Sequence, residues 1–130
     1  MTIGNILNIF NRQPTEVRIS YIDQCKQNYF LGIYPADRNA KEKAEYKTLV
    51  EIARSYFDKN LYEDFALYFM EGQYFIQLWT AHLILEYGQP NEDLKRRCID
   101  EITSYSTSSR SPDVAEQEQK WLKTYGDNNS

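Results

Sequence analysis

The stretch AEYKTLVEIARSYF, from Ala44 to Phe57, has the clearest periodicity in the chain. Its apolar residues recur every three or four positions, while its charged residues occupy the other side. This spacing is typical of an amphipathic helix that buries one face. The apolar set that predicts the helix consists of Tyr46, Leu49, Val50, Ala53, Tyr56 and Phe57.

Similar periods extend outward from this helix in both directions. Upstream, the segment Pro14-Thr15-Glu16 gives a helix start signal, and the spacing predicts a helix from about 15 to 31. Downstream, we expect a short helix that stops near Gly72, another from about 91 to 105, and a final helix that begins at Pro112. The apolar residues Ile3, Ile6, Leu7 and Phe10 predict an N-terminal helix over residues 2–11.

No segment shows the sustained alternation of apolar and polar residues that is typical of a strand. We therefore predict an all-α protein with about seven helices. At 130 residues the chain has the size of one domain, residues 1–130, and we expect a disordered tail over residues 126–130.

The stretch FIQLWTAHLILEYG, from Phe75 to Gly88, holds the only histidine of the chain. The predicted helix is apolar over most of its circumference, so it should lie between neighbouring helices with His82 in the packed region. We interpret His82 as a core residue that bonds to Glu86 or to a backbone carbonyl. A catalytic role would need a nucleophile, and the sequence has no nucleophile motif; a metal site would need further ligands, and no second histidine exists.

Charge and composition exclude several classes of protein. The net charge of −4 argues against nucleic-acid binding, which needs a basic surface. No apolar run is long enough to cross a membrane, and the first residues lack the features of a signal peptide. Two cysteines in apolar stretches are expected to be buried thiols. We expect a cytoplasmic protein without cofactor or metal.

The second half of the chain contains a possible repeat. A shift of 38 residues places Ile76 on Val114, Leu83 on Trp121, and Tyr87-Gly88 on Tyr125-Gly126, so that both predicted helices end in Tyr-Gly. Glycine at that position suits a left-handed helix cap. The shift indicates two helical hairpins of roughly the length of a HEAT repeat.

The residues from about 36 to 125 resemble a family of small bacterial proteins with HEAT-like helical repeats and no established reaction. The resemblance rests on the Ala44–Phe57 helix, on KWLKTYG in the last helix, and on one set of packing residues, Ile76, Trp79, Ala81, Leu83 and Leu85. The chain departs from the family pattern at Gln77 and at Ala44-Glu45-Tyr46. The resemblance implies a right-handed stack of helical hairpins. Proteins of this general appearance also occur beside toxin genes, as candidate immunity proteins.

Eleven tyrosines in a chain without catalytic motifs favour a binding protein, because tyrosine is enriched at interfaces. We predict a non-enzymatic protein–protein interaction module, an immunity or inhibitor protein that neutralises a basic bacterial toxin domain. Helical angles place its contact residues on one exposed strip, so Thr80→Arg should abolish binding without changing the melting temperature. The strip consists of Gln77, Thr80, Ile84, Tyr87, Gln117 and Lys120.

Two alternatives stay open at this point. The first is an enzyme or small-ligand binder with a pocket near Trp79, His82 and Glu86. The second is a structural module that associates with itself, so that the chain is either a monomer or a homodimer.

Overall fold

The computed structural model describes residues 14–108 and 110–129, and within them it contains six α-helices and no strand. Two 3₁₀ turns, Arg38–Ala40 and Leu67–Met70, lie between the helices. The all-α prediction is confirmed. The helices are α1 (Pro14–Leu31), α2 (Ala44–Phe57), α3 (Tyr62–Ala66), α4 (Ile76–Tyr87), α5 (Glu92–Ser106) and α6 (Pro112–Asn129).

Helix α4 is the centre of the molecule. It packs against α2, α5 and the second 3₁₀ turn, and it also contacts α1 and α3. Residues 78–84 are buried without interruption. A helix that is apolar on all sides needs neighbours on all sides, and α4 has them.

The helix boundaries follow local chemistry. Gly32 ends α1 with a φ of 72°, a left-handed conformation that glycine adopts without steric cost. Asn91 begins α5 because its side chain accepts a hydrogen bond from the backbone N–H of Leu94. Gly88 follows α4 for another reason: its backbone is extended, and a Cβ there would lie 2.9 Å from the Ile84 carbonyl oxygen. The predicted left-handed cap at Gly88 is therefore wrong, and the glycine serves close packing.

Two predictions about the ends of the chain have different outcomes. The predicted helix over residues 2–11 lies outside the described residues. The last helix does not end at Tyr125-Gly126 but continues to Asn129, which differs from the tail expected over 126–130. A glycine in a helix costs only about 1 kcal/mol relative to alanine, and the preceding turns of α6 are already anchored in the core by Val114 and Ala115.

The two cysteines, Cys25 and Cys98, are free and buried, as expected for small apolar core residues. No helix among residues 14–108 and 110–129 combines the length and the apolar character needed to cross a membrane. The order of the helices is consistent with antiparallel neighbours, because α4 and α5, and α5 and α6, are joined by short connections. The HEAT-like right-handed stack stays a prediction.

Candidate functional site

His82 lies at the centre of a chain of ion pairs that links three parts of the molecule. Its Nε2 is 2.6 Å from Oε1 of Glu118 on α6, and its Nδ1 is 3.0 Å from Oε2 of Glu86, one turn along α4. The other oxygen of Glu86 is 2.7 Å from Nζ of Lys41, in the segment before α2. We call these four residues the His82 network.

The electrostatics of the His82 network favour its charged form. Burial alone would lower the pKa of His82, but the hydrogen bonds to Glu118 and Glu86 outweigh burial and raise the pKa above its ordinary value. Burial alone would also raise the pKa of Glu86, yet His82 and Lys41 together lower it. With two cations and two carboxylates, the network carries no net charge. An imidazolium with both N–H groups donating is what two flanking carboxylates stabilise best.

The position of His82 decides what the network can do. Only 1% of His82 is exposed, and Glu118 is completely buried. The ring of Trp121 covers His82 edge to face, with centroids 4.5 Å apart. An imidazole enclosed in this way does not reach a substrate, so the network holds α4, α6 and the segment before α2 together. The interpretation of His82 as a core residue bonded to Glu86 agrees with this geometry.

Glu118 is the functional partner that the sequence reasoning missed. It lies four residues after Val114 and three before Trp121, at a position of α6 where the helical period calls for an apolar residue. A carboxylate in such a position indicates a buried partner of opposite charge, because an unpaired buried charge is costly. Oε2 of Glu118 has no hydrogen-bond partner among the described residues. The hydrogen bond to His82 is therefore the main interaction that offsets the cost of burying the Glu118 carboxylate.

A cleft of about 600 Å³ lies beside the His82 network, between the segment before α2, the end of α4, and α6. Glu86 and Trp121, which both contact His82, form part of its wall. Trp79 does not line it and is completely buried in the core, where it packs against Tyr46. The pocket predicted near Trp79, His82 and Glu86 therefore has only Glu86 in common with the observed cleft. Its lining residues are Pro35, Ala36, Asp37, Arg38, Lys41, Glu86, Gln117, Lys120, Trp121, Thr124 and Tyr125.

The prediction that a strip of α4 is exposed is wrong. Thr80 and Ile84 are completely buried. Oγ1 of Thr80 donates to the Ile76 carbonyl at 2.7 Å and is 2.9 Å from the hydroxyl of Tyr21. The reason is that α1 and the second 3₁₀ turn pack on this side of α4, and helical angle alone does not reveal such neighbours.

The other residues of the strip are dispersed. Gln77 is half-buried and bonds the Phe69 carbonyl and the Tyr105 hydroxyl. The half-buried Tyr87 meets the hydroxyl of Tyr46 at 3.2 Å. Gln117 and Lys120 line the cleft on α6, which Gln77 does not line. The six residues therefore do not form one contact surface.

Large apolar side chains are exposed at the end of α1. The consecutive residues Tyr29, Phe30 and Leu31 have exposed fractions of 41%, 71% and 53%. The rings of Tyr29 and Phe30 both contact the ring of Tyr74, and Tyr29 also contacts Phe75. We call Tyr29, Phe30, Leu31, Tyr74 and Phe75 the aromatic surface.

The backbone beneath the aromatic surface is strained. Tyr74 and Phe75 have φ values of 54° and 58°, the left-handed region that bulky side chains rarely adopt. Each such residue costs on the order of 1–3 kcal/mol and persists only where its surroundings enforce it. Here the backbone conformation is held in place by the Phe75 ring, which packs against Tyr34 and Tyr105 from two other parts of the chain.

A second exposed apolar group lies in a groove near the start of α1. Leu61, Leu67 and Met70 line this groove together with the ion pair between Arg18 and Glu71, whose atoms are 2.6 Å apart. Among the described residues no cluster of three or more His, Cys, Asp or Glu side chains is arranged to hold a metal ion.

The resemblance to the HEAT-like family stays a prediction, and so does every property that it implies. No protein-family model, curated protein or solved structure matches the chain.

Proposed function

We propose that the protein is a non-catalytic protein–protein interaction module and that its contact surface is the aromatic surface. The observation that carries the proposal is the run of three exposed apolar side chains, Tyr29 to Leu31, set against Tyr74 and Phe75. Single exposed apolar residues are common on proteins, whereas a contiguous group of large ones is typical of a binding surface.

The composition of the aromatic surface supports the same function. Tyrosine and phenylalanine provide large contact areas while losing few rotamers on binding. Interface hot spots are enriched in such side chains. The left-handed backbone at Tyr74 and Phe75 further fixes the rings before any partner arrives, which lowers the ordering cost of binding.

For the partner we propose a basic protein domain, such as a bacterial toxin domain that this protein would neutralise. The net charge of −4 supports a positively charged partner through long-range attraction. Such attraction is screened by salt, so the rate of association should fall as ionic strength rises, while dissociation, governed by the aromatic contacts, should change little.

The test is a pair of matched leucine variants. Leu31→Asp changes a residue of the aromatic surface that is 53% exposed, and Leu67→Asp changes a leucine of the groove that is 62% exposed. Both introduce the same charge at an exposed position. Binding partners are captured from the host lysate by each purified protein and by the wild type, and the affinity for the captured partner is then measured.

We expect Leu31→Asp to lose capture of the partner and Leu67→Asp to retain it. Loss in Leu67→Asp alone would contradict the assignment of the surface. Sedimentation across a concentration series decides the self-associating alternative: a dimer that Leu31→Asp dissociates would show that the aromatic surface pairs with a second copy, and the proposal of a different partner would fail.

A further inference from the structure

The cleft beside the His82 network has an excess of positively charged side chains. Three cationic side chains, Arg38, Lys41 and Lys120, line it, against two carboxylates, Asp37 and Glu86. The groove at Leu61 and Met70 shows the opposite balance, with one cation, Arg18, and two carboxylates, Asp64 and Glu71. In a chain of net charge −4, this local excess of positive charge needs a separate explanation.

The carboxylates of the cleft are already engaged. Both oxygens of Glu86 have partners, Lys41 and His82. Asp37 accepts a hydrogen bond from the backbone N–H of Asn39 at 3.0 Å and thereby begins the first 3₁₀ turn. The cations keep donors to spare, because an ammonium has three N–H groups and a guanidinium has five. Lys41 uses one of its three on Glu86, and Nζ of Lys120 is 3.3 Å from Oε1 of Glu116, so each lysine keeps two N–H groups for a ligand.

One wall of the cleft is aromatic. Trp121 and Tyr125 lie one turn apart on α6 and stack with centroids 4.8 Å apart and an angle of 12° between their planes. Trp121 also contacts the imidazole of His82, with centroids 4.5 Å apart, which helps to fix its position. A planar ring that enters the cleft therefore meets aromatic side chains whose positions are fixed, and aromatic pairs attract each other beyond the effect of the area that they bury.

We propose that this cleft binds a small anionic ligand that carries a planar ring, such as an aromatic carboxylate or an aryl phosphate. The ring lies against Trp121 and Tyr125, and the anionic group is bound by Arg38, Lys41 and Lys120. The volume of about 600 Å³ is within the range of small-molecule sites. The cleft shares no residue with the aromatic surface. The two proposals can therefore be tested independently, and failure of one does not contradict the other.

The two tryptophans provide a direct readout. Trp121 lines the cleft, whereas Trp79 is completely buried in the core, so the two indole N–H signals in a proton–nitrogen NMR spectrum form a probe and an internal control. The protein is titrated with benzoate, phenyl phosphate and benzamidine, which present the same ring with an anionic or a cationic group. We expect both anions to shift the Trp121 signal and leave the Trp79 signal in place, and benzamidine to bind more weakly than either.

Charge variants test the role of the cations. Arg38→Gln and Lys120→Gln should each weaken binding of the anions about twofold to fivefold. This is the change in affinity expected from the loss of one partly exposed ion pair. Lys123→Gln is the matched control, since Lys123 is exposed on the same helix as Lys120 and does not line the cleft. The proposal is overturned if Lys123→Gln weakens binding as much as Lys120→Gln, if benzamidine binds as well as benzoate, or if no anion shifts the Trp121 signal. The anion that binds more tightly identifies the preferred acidic group.

Discussion

The His82 network and the aromatic surface invert the usual distribution of residues in opposite ways. At the network, charged groups are enclosed: Glu118 is completely buried, and His82 is 1% exposed. At the aromatic surface, large rings face solvent, and Phe30 is 71% exposed. Each arrangement is unfavourable by itself, so each needs a compensating interaction.

The compensation differs between the two regions. In the network it lies within the chain, since His82 has a carboxylate on each ring nitrogen and Glu86 has Lys41 as a second partner. For the exposed face of Phe30 no covering group is found among the described residues, and this is what directs the proposed interaction to a partner. A region compensated internally serves stability, whereas for the exposed region we propose a role in binding. Substitutions should separate the two regions accordingly.

The largest effect is expected at Thr80, the residue that helical angle alone would place on a binding strip. Thr80→Arg forces a guanidinium into a completely buried position beside the uncharged hydroxyl of Tyr21. An unpaired buried charge belongs to the most destabilising class of substitution, so we expect a loss of about 4 kcal/mol or more in the free energy of unfolding. Urea denaturation followed by circular dichroism measures the loss.

Thr103→Arg is the control for Thr80→Arg. Thr103 lies exposed on α5 and makes the same kind of bond, with Oγ1 donating to the carbonyl of Ile99, four residues earlier. We expect its stability to stay within about 0.5 kcal/mol of the wild type. Equal stability of the two arginine variants would show that Thr80 is on the surface and that α1 does not pack over this part of α4.

A smaller but more informative effect is expected at His82. His82→Leu leaves the carboxylate of Glu118 buried without its main partner, and removal of one member of a buried pair costs about 3–5 kcal/mol. The double variant His82→Leu/Glu118→Leu removes both charges and leaves apolar side chains of similar size, which is often neutral or stabilising. We therefore expect the double variant to be more stable than His82→Leu in urea denaturation.

Phe30→Ala extends this comparison to the aromatic surface. Because the Phe30 side chain is mostly exposed, its removal should change stability by no more than about 0.5 kcal/mol while weakening the proposed interaction. If the double variant at His82 and Glu118 is instead less stable than His82→Leu, the network contributes stability that an apolar pair cannot replace.

The contrast between the regions also explains which features could be predicted from the sequence. Helix α6 begins at Pro112, the predicted start, because local start signals and apolar periods act within a few residues. The core position of His82 was predictable too, since α4 is apolar around its circumference. These properties depend on local sequence.

The features that were missed depend on contacts between distant residues. Thr80 is buried because Tyr21, 59 residues away in the chain, packs over it. The partner of His82 is Glu118, 36 residues away. The aromatic surface depends on left-handed backbone at Tyr74 and Phe75, which no helical period indicates for two consecutive aromatic residues. Such pairings follow from the arrangement of the helices rather than from any single segment.

The smallest expected effect is a dependence of stability on pH that is confined to the network. The pKa of His82 is raised above 6.5 in the folded protein, so its contribution is complete below about pH 6.5 and is lost as the pH rises through the folded value. The pKa of Glu86 is lowered below 4.5, so its contribution is present above about pH 4.5 and is lost as the pH falls through the folded value. Between these limits the network should contribute its full stability.

This pH dependence can be assigned to the network by comparing variants. The free energy of unfolding is measured from mildly acidic to alkaline pH for the wild type, for Phe30→Ala, and for the double variant at His82 and Glu118. The wild type and Phe30→Ala should lose stability in parallel above pH 6.5, because both retain the imidazole, whereas the double variant should lack the loss that comes from His82. A double variant that loses stability in the same range as the wild type would show that another group carries the dependence and that His82 is not held in its charged form by Glu118 and Glu86.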